Sequence, residues 1–437
     1  MARSSLAFVV PLVLASLVGP RHGRAAALEA PSPDDRPASP QIAALAESVR
    51  KGDATAVERF WRALAGKAPL VEPIEGEPDR RRVTFVWRGD EKTRRVFLIG
   101  AVPGGDDTLD RLDGTDVWYL TETIPAAARF GYMFMVNYPK MVSGDYSRNP
   151  MPRPDPLNPT RMGLQSIVEL PNAPRQPWLE PRDGVAVLPV NEVPVQSTIL
   201  PAAPRVWVAE PAGRRRDEPA ALLVMLDGET TGGNPNDTLI PTPTIVANLA
   251  AAGKIPRTLV VMVGSGDFAT RSKNLRGSEP FVDYLAKELV PWVRSRYAIG
   301  SDRTRTVIAG QSNGGLAAAH AALRHPEVFG GVLSQSGAFW FDPSVGTSHA
   351  SKYDTPTGWL TREFAALPAR PVHFYVEVGL FEQGTLSHML LENRRFRDVL
   401  IARGYRVTYS EYLGGHDYVC WRGSLADGLI ALLGRGD

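Results

Sequence analysis

Gly310-Gln311-Ser312-Asn313-Gly314 sets a serine between two glycines, after the apolar run Thr306-Val307-Ile308-Ala309 and before Leu316-Ala317-Ala318-Ala319-His320-Ala321-Ala322-Leu323. A β-branched run, a glycine turn and an alanine-rich run in that order predict a strand, a sharp turn and a helix. A hydroxyl on such a turn stands exposed at the end of a sheet, and the flanking glycines relieve the crowding around a strained serine backbone. Ser312 is therefore the candidate nucleophile.

A serine hydroxyl is a weak nucleophile until a base takes its proton, and histidine has the pKa suited to that task near neutrality. Among seven histidines, His416 is the candidate base. It stands in Gly414-Gly415-His416-Asp417, after a predicted strand at 406–412, in the serine, acid, histidine order of α/β hydrolases. His22 lies in the amino-terminal leader, His320 and His325 in or at the end of the helix after Ser312, and His373 at a strand start; these read as packing or surface groups. His349 and His388 are secondary candidates. The orienting acid is expected at Glu382, just after a strand at 372–378 and before a helix that runs through Asn393 and Leu400. Glu377, inside the strand end, is its rival, with a pocket wall or a structural hydrogen bond as its alternative role. Asp417 adjoins His416 and is expected to point elsewhere. Acyl transfer also needs donors for the developing oxyanion. The backbone N–H of Asn313 is the first candidate, and the turn Asp227-Gly228-Glu229 after a strand at 221–226 offers the second, from Gly228 or Glu229.

The rest of the chain supplies the frame. At 437 residues it exceeds a usual single core, which predicts two domains. A charged fraction of 22% and a net charge of +2, with no run of five lysines or arginines, exclude an electrostatic footprint for nucleic acid. Residues 1–30 read as an export signal and its cleavage region: Arg3 is the positive start, 6–17 a short apolar core, and Ala25-Ala26-Ala27 offers small residues for cleavage. The core is shorter than the roughly 20 residues of a membrane span, so the expectation is an exported protein, periplasmic or secreted, with no integral span after signal removal. The sole cysteine, Cys420, cannot form an internal disulfide and reads as a buried structural thiol.

Residues 31–55, rich at first in proline, serine and aspartate, are expected to be a flexible lead-in. Short alternating runs at 81–87, 94–99, 117–120 and 132–136 predict a small Ig-like β-sandwich over 56–148. Nine prolines at 149–182 predict an irregular interdomain linker. From 183 to 437 strands alternate with helices, which predicts a largely parallel, doubly wound sheet: an α/β class, α/β-hydrolase fold with Ser312 beyond a strand's carboxyl end. No metal-ligand spacing, phosphate loop or dinucleotide glycine motif occurs, so no cofactor and no metal site is implied.

Gly310-Gln311-Ser312-Asn313-Gly314-Gly315, Val332-Leu333-Ser334-Gln335-Ser336-Gly337 with Trp340, and Gly414-Gly415-His416-Asp417 with Cys420-Trp421-Arg422-Gly423 resemble the enterochelin esterases, which hydrolyse catecholate siderophores to release iron. Upstream, Phe60-Trp61, Val83-Thr84-Phe85-Val86-Trp87-Arg88, Gly114-Thr115-Asp116-Val117-Trp118 and Asp155-Pro156-Leu157-Asn158-Pro159 are similar to the amino-terminal domain and linker of the longer members. The resemblance implies Ser312 as nucleophile and His416 as base. For the acid it offers only a loose match at Gly379-Leu380-Phe381-Glu382, and some relatives work with little more than a serine and a histidine. The long members are cytoplasmic and the exported ones usually lack the first domain, whereas this chain combines a leader with the long form. A ferric tri-catecholate substrate is anionic and aromatic, which makes Arg271, Arg276, Trp340 and Arg422 candidate contacts. Two other readings stand beside this one: a general carboxylesterase, feruloyl or carbohydrate esterase or acyltransferase of the same superfamily, and a siderophore-binding protein with vestigial serine machinery.

Overall fold

The computed structural model describes residues 38–100, 107–137, 151–186, 188–211, 220–344, 358–383 and 388–434. The expected leader at 1–30, with His22, and also His349 lie outside them. The first domain is two antiparallel sheets. One contains β1 (Leu70–Pro73), β2 (Arg80–Arg88), β5 (Asp110–Arg111) and β6 (Val117–Pro125), in the order β1-β2-β6-β5. The other contains β3 (Val96–Gly100), β4 (Asp107–Thr108), β7 (Arg129–Val136), β8 (Arg161–Met162) and β9 (Gln165–Glu169), in the order β4-β3-β7-β9-β8. Phe85, Leu98, Leu120, Phe130, Tyr132 and Phe134 fill the space between the sheets, and the rings of Phe85 and Tyr132 meet edge to face at 4.9 Å.

Two expectations for this half need correction. Residues 40–50, placed in the flexible lead-in, form the helix Pro40–Arg50, and a second helix follows at Ala56–Leu64. Ser39 caps the first by accepting from the Ile42 N–H, and Pro40 stands where a missing N–H costs nothing. Ile42, Leu45, Trp61 and Leu64 then cover Val86 and Val117 on the outer face of the first sheet. The proline-rich stretch at 149–182 is also not all linker. Its prolines flank Gln165–Glu169 rather than interrupt it, so this segment pairs with β7 in the register Phe130↔Val168 and Gly131↔Ile167. Asp155, buried in the same stretch, accepts from the Tyr132 hydroxyl at 2.7 Å. The sandwich therefore extends through β9.

The second domain is one eight-stranded sheet. Its strands are β10 (Val190–Val193), β11 (Val206–Ala209), β12 (Ala221–Leu226), β13 (Thr258–Val263), β14 (Thr306–Gln311), β15 (Gly331–Gln335), β16 (His373–Gly379) and β17 (Arg406–Tyr412). The order is β10-β11-β13-β12-β14-β15-β16-β17, with β12 to β17 parallel and the first two strands antiparallel. Every residue of β12, β13, β14 and β15 is buried, as strands covered on both faces require. Leu316, Phe364 and Phe396 belong to the core on one face, and Ile245, Leu249, Trp421, Leu425 and Leu429 to the core on the other. Beyond the carboxyl ends of these parallel strands lie Ser312, Glu382 and the loop that carries His416. Among the described residues no helix is long and apolar enough to cross a membrane.

Candidate active site

Ser312 follows β14 directly and has φ 57° and ψ −118°, with the helix Asn313–Arg324 starting at the next residue. A non-glycine residue at positive φ is held there at a cost of about 1–3 kcal/mol, sustained by its surroundings. The Ser312 N–H donates to the Gln335 carbonyl at 3.0 Å, and its carbonyl accepts from Ala338 at 2.9 Å. The glycines permit the turn through close approach. A Cβ on Gly310 would lie 2.5 Å from the Gly314 backbone, and one on Gly315 would lie 2.5 Å from Ser334 Oγ. The Ser312 side chain is left partly exposed.

His416 Nδ1 and Glu382 Oε2 are 2.7 Å apart. The imidazole is 26% exposed while the Glu382 side chain is 2% exposed, so one partner faces the site and the other is built into the wall. Glu382 Oε1 accepts from the Ser336 hydroxyl at 2.6 Å and the Gly379 N–H at 2.8 Å, with the Tyr412 hydroxyl at 3.4 Å. Ser336, itself at φ 48°, also accepts from the indole N–H of Trp421 at 3.1 Å. Trp421 in turn presents its ring edge to face against His416, with centroids 4.8 Å apart. The carboxylate is thus fixed by donors on one oxygen and offers the other to the imidazole, the arrangement that selects the Nδ1–H tautomer and leaves Nε2 as the base. Among the described residues Nε2 has no hydrogen-bond partner.

Glu377 is elsewhere engaged. It lies on β16, beside Gln335 of β15, and accepts from Ser424, Gln335 and Tyr375. Burial pushes its pKa up to about 7 against those three donors. Asp417 also turns away from the site and caps the helix Tyr418–Leu433 through the N–H groups of Val419 and Cys420. Cys420 is buried, and burial pushes its thiol well above the usual range. His320 and His325, in and at the end of the helix after Ser312, bond Glu279 and Asp283, and His373, at the start of β16, bonds Thr408.

The oxyanion donors require one correction. The Gly228 N–H donates to the Val263 carbonyl at 2.8 Å and is spent on the sheet. Glu229 remains as the donor from that turn, with Asn313 N–H at the first turn of its helix. The Glu229 carboxylate braces the neighbouring loop by accepting from the N–H groups of Ser265 and Gly266.

The four expected substrate contacts separate into two classes. Arg271 is buried and forms a two-point ion pair with Asp227, Nε to Oδ1 at 2.6 Å and Nη2 to Oδ2 at 2.7 Å. Desolvation opposes its charge, but the Asp227 carboxylate outweighs it and holds the guanidinium above its usual range. This arginine is structural. Arg422 points to the domain interface, where its Nε donates to Gln176 Oε1 at 3.1 Å. Both lie too far apart in sequence from their partners for local pattern to reveal the pairing. Arg276 differs. It is half-buried, lies 5.9 Å from the ring centre of Trp340 and 5.8 Å from that of Phe341, and no carboxylate pairs with it among the described residues. Desolvation first, and Arg271 second, push its pKa down. With the Asn313 amide oxygen turned toward it, the Arg276 Nε is 3.2 Å and the Arg271 Nη1 3.3 Å from that oxygen; the orientation is assigned from these donors. A cation with aromatic walls, facing the residue next to the nucleophile, is therefore available to an anionic ligand. Asp227 stands in the Asp227-Gly228-Glu229 turn and Ser336 in the Ser334-Gln335-Ser336-Gly337 motif, but neither pattern shows the partner it holds, and Tyr412 has no local signal.

Comparison with known proteins covers both domains. The family described as "Putative esterase" matches residues 197–432, and "Enterochelin esterase, N-terminal" matches residues 82–179. The iron(III) enterobactin esterase of Dickeya dadantii (strain 3937) is 32% identical, over 91% of this chain and 96% of its own length. The iron(III) salmochelin esterase of Escherichia coli O6:H1 is 29% identical, over 90% of this chain and 98% of its own. A crystal structure of the enterobactin esterase of Shigella flexneri, determined in the presence of enterobactin, superposes with a TM-score of 0.67 at 27% identity, covering 86% of this chain and 97% of that one.

Proposed function

We propose that this chain, which belongs to the enterochelin esterase family, hydrolyses the ester bonds of a catecholate siderophore through an acyl-enzyme on Ser312. In this reading His416 Nε2 takes the Ser312 proton as Oγ attacks the ester carbonyl, and Glu382 stabilises the imidazolium through Nδ1–H. The N–H groups of Asn313 and Glu229 receive the developing oxyanion. The tetrahedral intermediate then expels the alcohol, which takes the proton from His416. Water, deprotonated by the same imidazole, attacks the acyl-enzyme and releases the acid, restoring the Ser312 hydroxyl.

The observation that carries ester hydrolysis is the 2.7 Å His416–Glu382 bond, with Glu382 held from behind, at the same end of the sheet as a partly exposed serine at positive φ. The substrate class rests on the relatives' full-length similarity and on the aromatic-flanked Arg276, which has no carboxylate partner among the described residues and suits an anionic catecholate. The test compares wild type and Arg276→Gln on a ferric tri-catecholate ester and on a small neutral aryl ester. Loss of one charge-assisted contact of about 1.5–3 kcal/mol should reduce use of the ferric complex about ten- to a hundred-fold and spare the neutral ester. Equal losses on both, with feruloyl or acetyl esters turned over faster than every siderophore tried, would replace this reading with a general esterase. Tight binding of the ferric complex without any turnover would replace it with a siderophore-binding protein.

A further inference from the structure

The loop that carries His416 is held from the other domain. β7 pairs with β9 through Arg129, Phe130 and Gly131, while its pairing with β3 ends at Tyr132. Among the described residues, the partner of this edge at Arg129–Gly131 is the hydrolase. The Arg129 N–H donates to the Leu413 carbonyl at 3.0 Å, and the Gly131 N–H donates to Asp417 Oδ2 at 2.7 Å. Cys420 Sγ lies 3.1 Å from the Arg129 carbonyl, and Gln176 Nε2 donates to the Val419 carbonyl at 2.7 Å. These ties fall three residues before His416 and one, three and four residues after it. Gly414 lets the loop sit this close, since a Cβ there would lie 2.6 Å from the Arg129 carbonyl.

The acid's loop is anchored in the same place. Phe381, next to Glu382, meets the Phe130 ring edge to face at 5.9 Å and packs with Leu413 against the sandwich core. The two loops are also joined to each other, since the Phe381 N–H donates to the Gly414 carbonyl at 2.9 Å. Among the described residues Ser312 has no such tie; its turn is fixed by β15 and the residues after it, within the hydrolase.

We propose that the amino-terminal sandwich is a positioning element for the acid–base pair, acting through Asp417 on His416 and through Phe381 on Glu382. The inference rests on the assignment of those two residues as acid and base. Asp417 divides its oxygens, Oδ1 to the helix N–H groups and Oδ2 to Gly131, so it joins the helix that begins after His416 to a strand of the other domain. A shift of about 1 Å in a catalytic group can lower turnover about a hundred-fold without touching the substrate's binding contacts. The expected signature is a fall in kcat at constant KM, the same for every ester.

Asp417→Ser keeps a hydroxyl able to cap the helix but has no second oxygen for Gly131. Phe381→Leu keeps an apolar side chain but loses the ring contact. Each is assayed on the neutral aryl ester and the ferric catecholate ester, with the rate of Ser312 labelling by a fluorophosphonate, all normalised to the folded fraction from an unfolding curve. Both variants should lose about ten- to a hundred-fold in kcat and in labelling rate on both esters, with KM little changed. Activity per folded molecule equal to wild type overturns the proposal, and so does a change confined to KM for the siderophore. Ser312→Ala, run beside them, separates the two ideas. If it stays active the catalytic assignment fails, whereas if it is dead and the two variants are normal the positioning role alone fails.

Discussion

Glu382→Gln replaces one oxygen with an NH2 group at a position where both oxygens accept. Oε1 is held by Gly379 N–H and Ser336 Oγ, at 2.8 and 2.6 Å, so the amide oxygen must stay there and the NH2 must face His416 Nδ1. Two donors then meet across 2.7 Å unless the imidazole moves its proton to Nε2. In that tautomer Nε2 already carries a proton and cannot take one from Ser312. The loss combines the wrong tautomer with the missing charge that stabilises imidazolium, and is expected to reach about ten-thousand-fold in kcat, or about 5.5 kcal/mol of transition-state stabilisation. The fold should persist, because the side chain's shape is unchanged and the Oε1 contacts survive. Steady-state hydrolysis of an aryl ester and of a catecholate ester measures the effect, with circular dichroism as the check on folding. A loss under about ten-fold in a folded variant would refute the reasoning and leave a serine–histidine pair that works without its acid.

Glu377→Gln should be mild for catalysis and visible in stability. Burial raises the Glu377 pKa from 4.5 to about 7. A carboxyl raised in the folded state contributes stability that is full below its unfolded value and lost as pH rises through the folded one. The loss between pH 4.5 and 8 is worth up to about 3 kcal/mol. Urea unfolding across that range should show the Gln variant flatter than wild type. Some slope will remain, because Asp417 is raised by burial to about 6 and has the same sign. Arg271→Gln leaves Asp227 buried without its counter-charge and should destabilise the protein by about 3–5 kcal/mol, depressing activity on neutral and ferric esters alike; selective loss of the ferric substrate would contradict its structural role. Export predicts a mature chain that lacks about the first 27 to 30 residues, checked by mass spectrometry of the extracytoplasmic fraction. An intact Met1 on soluble cytoplasmic protein would contradict it.

The hydrolase frame is legible in the sequence because its signals are local. The apolar runs of β12 and β13 are nearly continuous, and the glycine turn at Ser312 lies between a strand and a helix that each show their own pattern. Position along the chain also narrows the acid to the end of β16. It cannot by itself choose between Glu377 and Glu382, because that choice is made by Ser424, Gln335 and Tyr375 engaging the first and by Ser336 fixing the second. What is not legible depends on distant partners. β9 is five residues, four of them buried, in a proline-rich stretch, and it becomes a strand by pairing with β7 on one side and β8 on the other. Pro40–Arg50 has a cap and a leading proline, but the proline and serine composition before it masks both. Arg271 and Arg276 look alike in sequence. Asp227, 44 residues away, makes one a structural ion and leaves the other open.

The most direct measurement is turnover of a ferric tri-catecholate ester by wild type and by Ser312→Ala at equal folded concentration. The account predicts hydrolysis by wild type and a loss of about a million-fold in the variant, because base, acid and oxyanion donors have no nucleophile to serve. Activity in the variant above a few per cent of wild type would contradict the account at its centre.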